Sequence, residues 1–110
     1  MNVIFLAAGF GTRLAHIIGD RPKALVEVGG MVLLDHLLAR VRALPELERI
    51  VLVSNHHFVE QFRSWQRASG ANDVEIIDDG AQDAASRLGA IGDLALVLER
   101  LGVARDALVL

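Results

Sequence analysis

A length of 110 residues suits one small domain, and 53% hydrophobic content supplies ample core material and argues against disorder. A net charge of -3 with dispersed basic residues leaves no electrostatic footprint for nucleic acid, and the absence of cysteine excludes disulfides and thiolate metal sites. No apolar run approaches the ~20 residues that a bilayer span needs, and Met1-Asn2 leads straight into a strand rather than a signal peptide, so a cytoplasmic protein without membrane partners is expected.

Asn2 to Ala8 is a near-continuous apolar run, as expected of a strand buried on both faces of a parallel sheet. Ligands in such sheets gather at the carboxyl ends of the strands, which places the following Gly9-Phe10-Gly11-Thr12-Arg13-Leu14 where a ligand binds. Glycines there permit φ > 0 and let backbone amides approach phosphate oxygens or a base edge. Arg13 offers a planar, permanently charged fork and Lys23, ten positions on, a mobile point charge, while Thr12 offers a hydroxyl. A dinucleotide fingerprint would need a third glycine where Leu14 stands and a helix opening at once. Gly19, Pro22, Gly29 and Gly30 instead delay regular helix to about Val32. The spacing of a P-loop, with its Lys-Ser or Lys-Thr, does not occur.

Leu33, Leu34, Leu37, Leu38, Val41 and Leu44 mark one face of a first helix that ends near Pro45. Arg49 to Ser54 reads as a second buried strand. Val59, Phe62 and Trp65 recur at helical spacing and close before Gly70, and Val74 to Ile77 forms a short third strand. Phe58, Phe62 and Trp65 fit a packed helix face better than a base-stacking platform, since no basic stripe accompanies them. Asp78-Asp79-Gly80 reads as a turn in preference to a metal site. His56 and His57, adjacent and lacking an evident third ligand, suit loop or capping roles, and His16 and His36 read as loop and helix-surface residues. Ile91, Leu94, Ala95, Leu98 and Leu101 outline the buried face of a third helix, with Asp93 in its first turn favourable to the helix dipole. Ala107 to Leu110 begins a fourth apolar strand. This alternation predicts an α/β, three-layer, Rossmann-like fold with a mainly parallel sheet.

The run Leu6-Ala7-Ala8-Gly9-Phe10-Gly11-Thr12-Arg13-Leu14, with Pro22-Lys23 nine residues on from that arginine, resembles the amino-terminal signature of sugar-phosphate nucleotidyltransferases, also called nucleoside-diphosphate-sugar pyrophosphorylases. The likeness continues through Arg49 to Asn55, Asp78-Asp79-Gly80 and Arg87 to Leu94. It departs at His16, Ile18 and Met31-Val32, outside the phosphate-contacting positions. The resemblance implies transfer of a nucleotidyl group. A sugar 1-phosphate oxygen attacks the α-phosphorus of a nucleoside triphosphate in line, and pyrophosphate leaves. On that likeness Arg13 neutralises the departing pyrophosphate and Lys23 holds the α-phosphate or the sugar phosphate. The amides of Gly9 and Gly11 cradle the nucleotide, the Leu6, Ala7 and Ala8 backbone lines the base, and Thr12 lies among these nucleotide-binding positions. Gly89 either matches the family glycine that admits a base edge or simply bounds a helix.

The family's magnesium is held by a Gly-Asp after the fourth strand and by a later ligand, which places Mg2+ coordination beyond Leu110. The chain is therefore expected to be the amino-terminal, nucleotide-binding half of a truncated nucleotidyltransferase domain, poorly active alone. Its last strand edge is open to self-association or to a completing segment. A pyrimidine triphosphate, thymidine or uridine, is the favoured nucleotide, with cytidine and guanosine versions as open alternatives. A non-catalytic nucleotide-binding or regulatory module is the alternative reading. A nicotinamide dinucleotide domain is disfavoured by Leu14 and the late first helix.

Overall fold

In the computed structural model, residues 1–10, Ile17, residues 19–101 and 107–110 are described. The expectations for Gly11, Thr12, Arg13, Leu14, His16 and Ile18 lie outside these residues. Among the described residues the strands are β1 (Asn2–Leu6), β2 (Glu27–Val28), β3 (Met31–Val32), β4 (Arg49–Ser54), β5 (Val74–Asp78) and β6 (Ala107–Val109), and the helices with described bounds are α1 (Leu33–Val41), α2 (Val59–Ser69) and α3 (Gly89–Leu101). Single 3-10 turns occupy Lys23–Leu25 and Ala84–Ser86.

The main sheet has the order β5-β4-β1-β6, and every pairing in it is parallel. The first apolar run therefore becomes an inner strand with its side chains alternating between two cores. Val3 and Phe5 join Leu34, Leu38, Phe62 and Trp65 beneath α1 and α2, whereas Ile4 joins Val51, Val53 and Val97 beneath α3. This is the expected three-layer arrangement, and burial on both faces is why β1 carries no polar alternation. Trp65 Nε1 donates to Asp35 Oδ1 at 2.9 Å, so the indole that fills the gap between α1 and α2 also satisfies its one polar atom. Gly70 caps α2 at φ 70°, with its N–H returning to the Gln66 carbonyl. Among the described residues no helix is long and apolar enough to cross a membrane.

Three local readings change. Ile17 is helical, ahead of the start expected near Val32. Glu27–Val28 and Met31–Val32 form a two-stranded antiparallel ribbon around Gly29 and Gly30, where only a broken loop was foreseen. The buried face of α3 is also rotated. Asp93 and Val97 are buried, Leu94 and Leu96 pack partly against the same core, and Ile91 is 86% exposed. The expected stripe through Ile91 and Ala95 fails because this helix is apolar nearly all round.

This inner face is directly testable. Val97→Ala should destabilise the protein by about 2 kcal/mol in denaturant unfolding, whereas Ile91→Ala should stay within about 0.5 kcal/mol. Equal losses would return the stripe to its expected side.

Candidate nucleotide site

The carboxyl end of β1 is held on both sides by backbone pairing. Ala7 N–H donates to the Val53 carbonyl at 2.8 Å, and Leu6 N–H donates to the Leu110 carbonyl at 2.9 Å. Beyond this point the chain leaves the sheet, and a cavity of about 410 Å³ opens beside it. Leu6, Ala7, Gly9, Pro22 and Lys23 contribute to its wall, and Phe5, Leu34, Leu37 and Leu52 make its floor apolar. Four expected site residues, Leu6, Ala7, Gly9 and Lys23, thus meet around one space. Ala8 faces the other core, against Ile4 and Val97, and is 6% exposed. Its side chain is structural, and only its backbone remains available to a ligand. Gly89 does not line the cavity.

The glycines differ in what they supply. Gly9 does not use the left-handed region, and a Cβ built there would meet nothing within 4 Å. Its conformational freedom is therefore not what the backbone draws on, contrary to expectation, and the absent side chain leaves open space at the cavity mouth. Gly89, the first residue of α3, has φ 76°, which L side chains rarely adopt. Its role as a helix boundary is met by that geometry.

Lys23 opens the 3-10 turn directly after Pro22, whose extended backbone starts the turn. The Leu25 and Val26 N–H groups close it onto the Pro22 and Lys23 carbonyls. The lysine side chain is exposed and joins no ion pair among the described residues. A charge on a rigid turn at the rim of an apolar cavity suits an anionic group whose remaining surface is partly apolar.

Asn55 was not singled out by its sequence, yet it organises this edge. Fully buried after β4, it donates through Nδ2 to the Ala8 and Gly9 carbonyls at 3.0 and 3.2 Å. Its Oδ1 accepts from the Phe58 N–H at 2.8 Å, just before α2. One side chain thereby joins the start of the glycine loop to the head of a helix. The available signal was an asparagine between an apolar strand and a helical stripe, a position suited to side-chain hydrogen bonding of free backbone groups.

The histidines that follow are bound to carboxylates. His56 Nδ1–H donates to Asp78 Oδ2 at 2.6 Å, and His57 Nε2–H donates to Asp20 Oδ1 at 2.6 Å. Phe10 stacks near the His57 ring, with centroids 6.4 Å apart, and Gln61 Nε2 donates to the Asp20 carbonyl. Both ends of the segment from Phe10 to Asp20 are thus fastened beside α2. Asp78 and Asp79 form the expected turn, with their side chains accepting from the Gly80 and Ala81 N–H groups at 2.8 Å. Burial acts to raise Asp78, but the His56 and Gly80 hydrogen bonds outweigh it and leave its pKa below the usual carboxylate value.

Asp93 departs from its expected role. It lies past the first turn of α3, is 5% exposed, and its Oδ1 has no hydrogen-bond partner. Burial, then the hydrogen bond and charge of Asp79, push its pKa to about 7, so its burial against another carboxylate replaces the dipole interaction foreseen for it. Among the described residues no group of three or more His, Asp or Glu side chains could hold a metal ion. The free oxygens of Asp79 and Asp93 are buried, away from the waters and phosphates that a magnesium ion keeps in its shell, so this pair does not fit a magnesium site.

The family model of the MobA-like NTP transferase domain matches residues 3–110. Among curated proteins, N-acetylmuramate alpha-1-phosphate uridylyltransferase of Caulobacter vibrioides is 46% identical over 66 residues, covering 60% of this chain and 26% of that protein. The 2-C-methyl-D-erythritol 4-phosphate cytidylyltransferase of Pseudoalteromonas atlantica is 29% identical over 93 residues, covering 84% of this chain and 38% of that protein. The CTP:phosphocholine cytidylyltransferase of Streptococcus pneumoniae superposes with a TM-score of 0.73 at 27% identity, over 98% of this chain and 42% of that one. The chain therefore spans well under half the length of each of these relatives.

Removal of the buried amide tests the site's scaffold. Asn55→Ala should cost about 2–3 kcal/mol in denaturant unfolding, because the Phe58 N–H and two carbonyls lose their partner. Asn55→Asp should not restore that stability, since a carboxylate cannot donate to the Ala8 and Gly9 carbonyls. A wild-type unfolding midpoint for the aspartate variant would refute the assignment.

Proposed function

Because the chain belongs to the MobA-like NTP transferase domain family, we propose that it supplies the nucleotide-binding part of an enzyme that joins a nucleoside triphosphate and a sugar 1-phosphate to give a nucleoside-diphosphate sugar and pyrophosphate. The observation that carries this reading is the meeting of Leu6, Ala7, Gly9 and Lys23 around one cavity at the carboxyl end of an inner parallel strand. The named relatives that transfer uridylyl and cytidylyl groups support the reaction class and a pyrimidine nucleotide.

In this reading the backbone from Leu6 to Gly9 borders the base and sugar of the nucleotide. Lys23, which lines the same cavity, holds the α-phosphate or the incoming sugar phosphate. Arg13 is proposed to neutralise the leaving pyrophosphate, with Gly11 and Thr12 donating beside it, and Gly89 to admit the base edge from the head of α3. Charge fixed before the reaction lowers the barrier to phosphoryl-type transfer because the bond-making step itself needs little covalent help. Magnesium, when bound, supplies further charge neutralisation between the phosphates, and no residue of this chain is assigned to hold it.

Binding separates this proposal from a dinucleotide domain. In titration calorimetry the chain should bind UTP or dTTP more tightly than NADH, and Lys23→Ala should weaken triphosphate binding by about tenfold, the worth of one charge-assisted contact. NADH binding with no affinity for any triphosphate would overturn the proposal.

A further inference from the structure

Asp93 is the one buried titratable residue among the described residues. Its Oδ1 and the Asp79 Oδ2 are both buried and both lack a hydrogen-bond partner, although the two side chains are in contact. Two ionised carboxylates cannot share such a place without repulsion, and each remaining lone pair would go unsatisfied. A proton between them removes both problems at once, since a protonated carboxyl donates where a carboxylate only accepts.

We propose that Asp79 and Asp93 are positioning residues which share one proton, and that this bond fastens the head of α3, with Gly89, to the turn that follows β5. Each partner is independently anchored. Asp79 Oδ1 is occupied by the Ala81 N–H, and the Asp79 N–H donates to the Ser54 carbonyl at the end of β4. Asp93 is fixed by the helix, one turn after Gly89. The bond therefore joins the second sheet edge of the site to the helix that carries its last glycine.

Among the described residues no cation is paired with Asp79 or Asp93, and Arg87, between the turn and α3, is exposed. The helix α3 packs on β1 and β4. β1 carries no titratable side chain, and Arg49 of β4 is at the far end of its strand, bound to Glu75. In the turn, Asp78 is engaged by His56 and influenced by Arg63, and Asp83 caps Ser86. The upward displacement of Asp93 to about 7 agrees with this isolation, burial being its first cause and Asp79 its second.

The pH dependence follows from linkage. Between about 4 and about 7 the folded chain holds a proton that the unfolded chain has released, so this pair's contribution to stability falls as pH rises through that window and is lost above it. Its consequence for ligands rests on the proposed function. If Gly89 admits the nucleotide base, loss of the proton loosens that contact.

The experiment compares wild type with Asp93→Asn and Asp79→Asn by thermal unfolding from pH 5 to 9. An amide donates at any pH, so each variant should gain in Tm relative to wild type as pH rises to about 7, with no further change above it. Parallel curves in both variants would overturn the shared proton. So would a rise in wild-type Tm on adding magnesium chloride at pH 8.5 that neither variant shows, since a cation would then bridge the carboxylates. In the same samples UTP affinity of wild type, relative to Asp93→Asn, should fall about fivefold between pH 6.5 and 8.5. A variant-specific Tm profile with level relative affinity would keep the proton and overturn the part assigned to Gly89.

Discussion

The inner position of β1 is the constraint on which the rest of this molecule depends. It pairs with β4 along its length and with β6 on its other side, and it contributes side chains to both cores. A strand so enclosed cannot slide, since a one-residue slip would exchange the residues facing the two helical layers. Its carboxyl end is consequently a fixed point. The loop that leaves it starts from backbone atoms tied to Val53, Leu110 and Asn55, so precision at the site originates in the sheet.

Charge is divided along the sheet. At the amino-terminal ends of the strands, Arg42 meets Asp73 and Arg49 meets Glu75 through two-pronged hydrogen bonds. These arginines have their geometry satisfied internally and stand away from the cavity. At the carboxyl-terminal ends the pairs are His56 with Asp78 and His57 with Asp20, and Lys23 joins no ion pair among the described residues. Arg42 and Arg49, internally paired, serve the frame, whereas the lysine beside the cavity is proposed to serve a ligand. This separation lets an anion bind without first breaking a bridge.

Much of this arrangement was legible because it depends on local chemistry. The apolar run of β1, the boundaries of β4, the Gly70 stop and the Asp78-Asp79-Gly80 turn each follow from residues adjacent in the chain. The meeting of Leu6 with Lys23 also followed, through the spacing of the signature. What escaped was decided across space. Asn55 becomes important only when the folded sheet brings the Ala8 and Gly9 carbonyls beside it. The face of α3 was unreadable because an almost wholly apolar helix offers no contrast between its sides, and Asp93 was read only for its place near the helix start. Polar residues are mostly surface residues, and the exception requires a partner that the sequence places fourteen positions away.

That exception explains why the two ends of the site are built differently. The β1 end is neutral and permanently hydrogen-bonded, with an asparagine amide whose donors do not titrate. The α3 end relies on a carboxyl that must hold a proton to act as a donor. An asparagine at position 93 would make the same contact at every pH, so packing alone does not call for the aspartate. Two anchors of unlike chemistry on one sheet edge allow the Ala8 and Gly9 backbone to stay fixed while the head of α3 responds to its surroundings. In a fold whose frame is rigid through β1, such a response stays at the head of α3, because Asp79 remains bound to the Ser54 carbonyl at the end of β4.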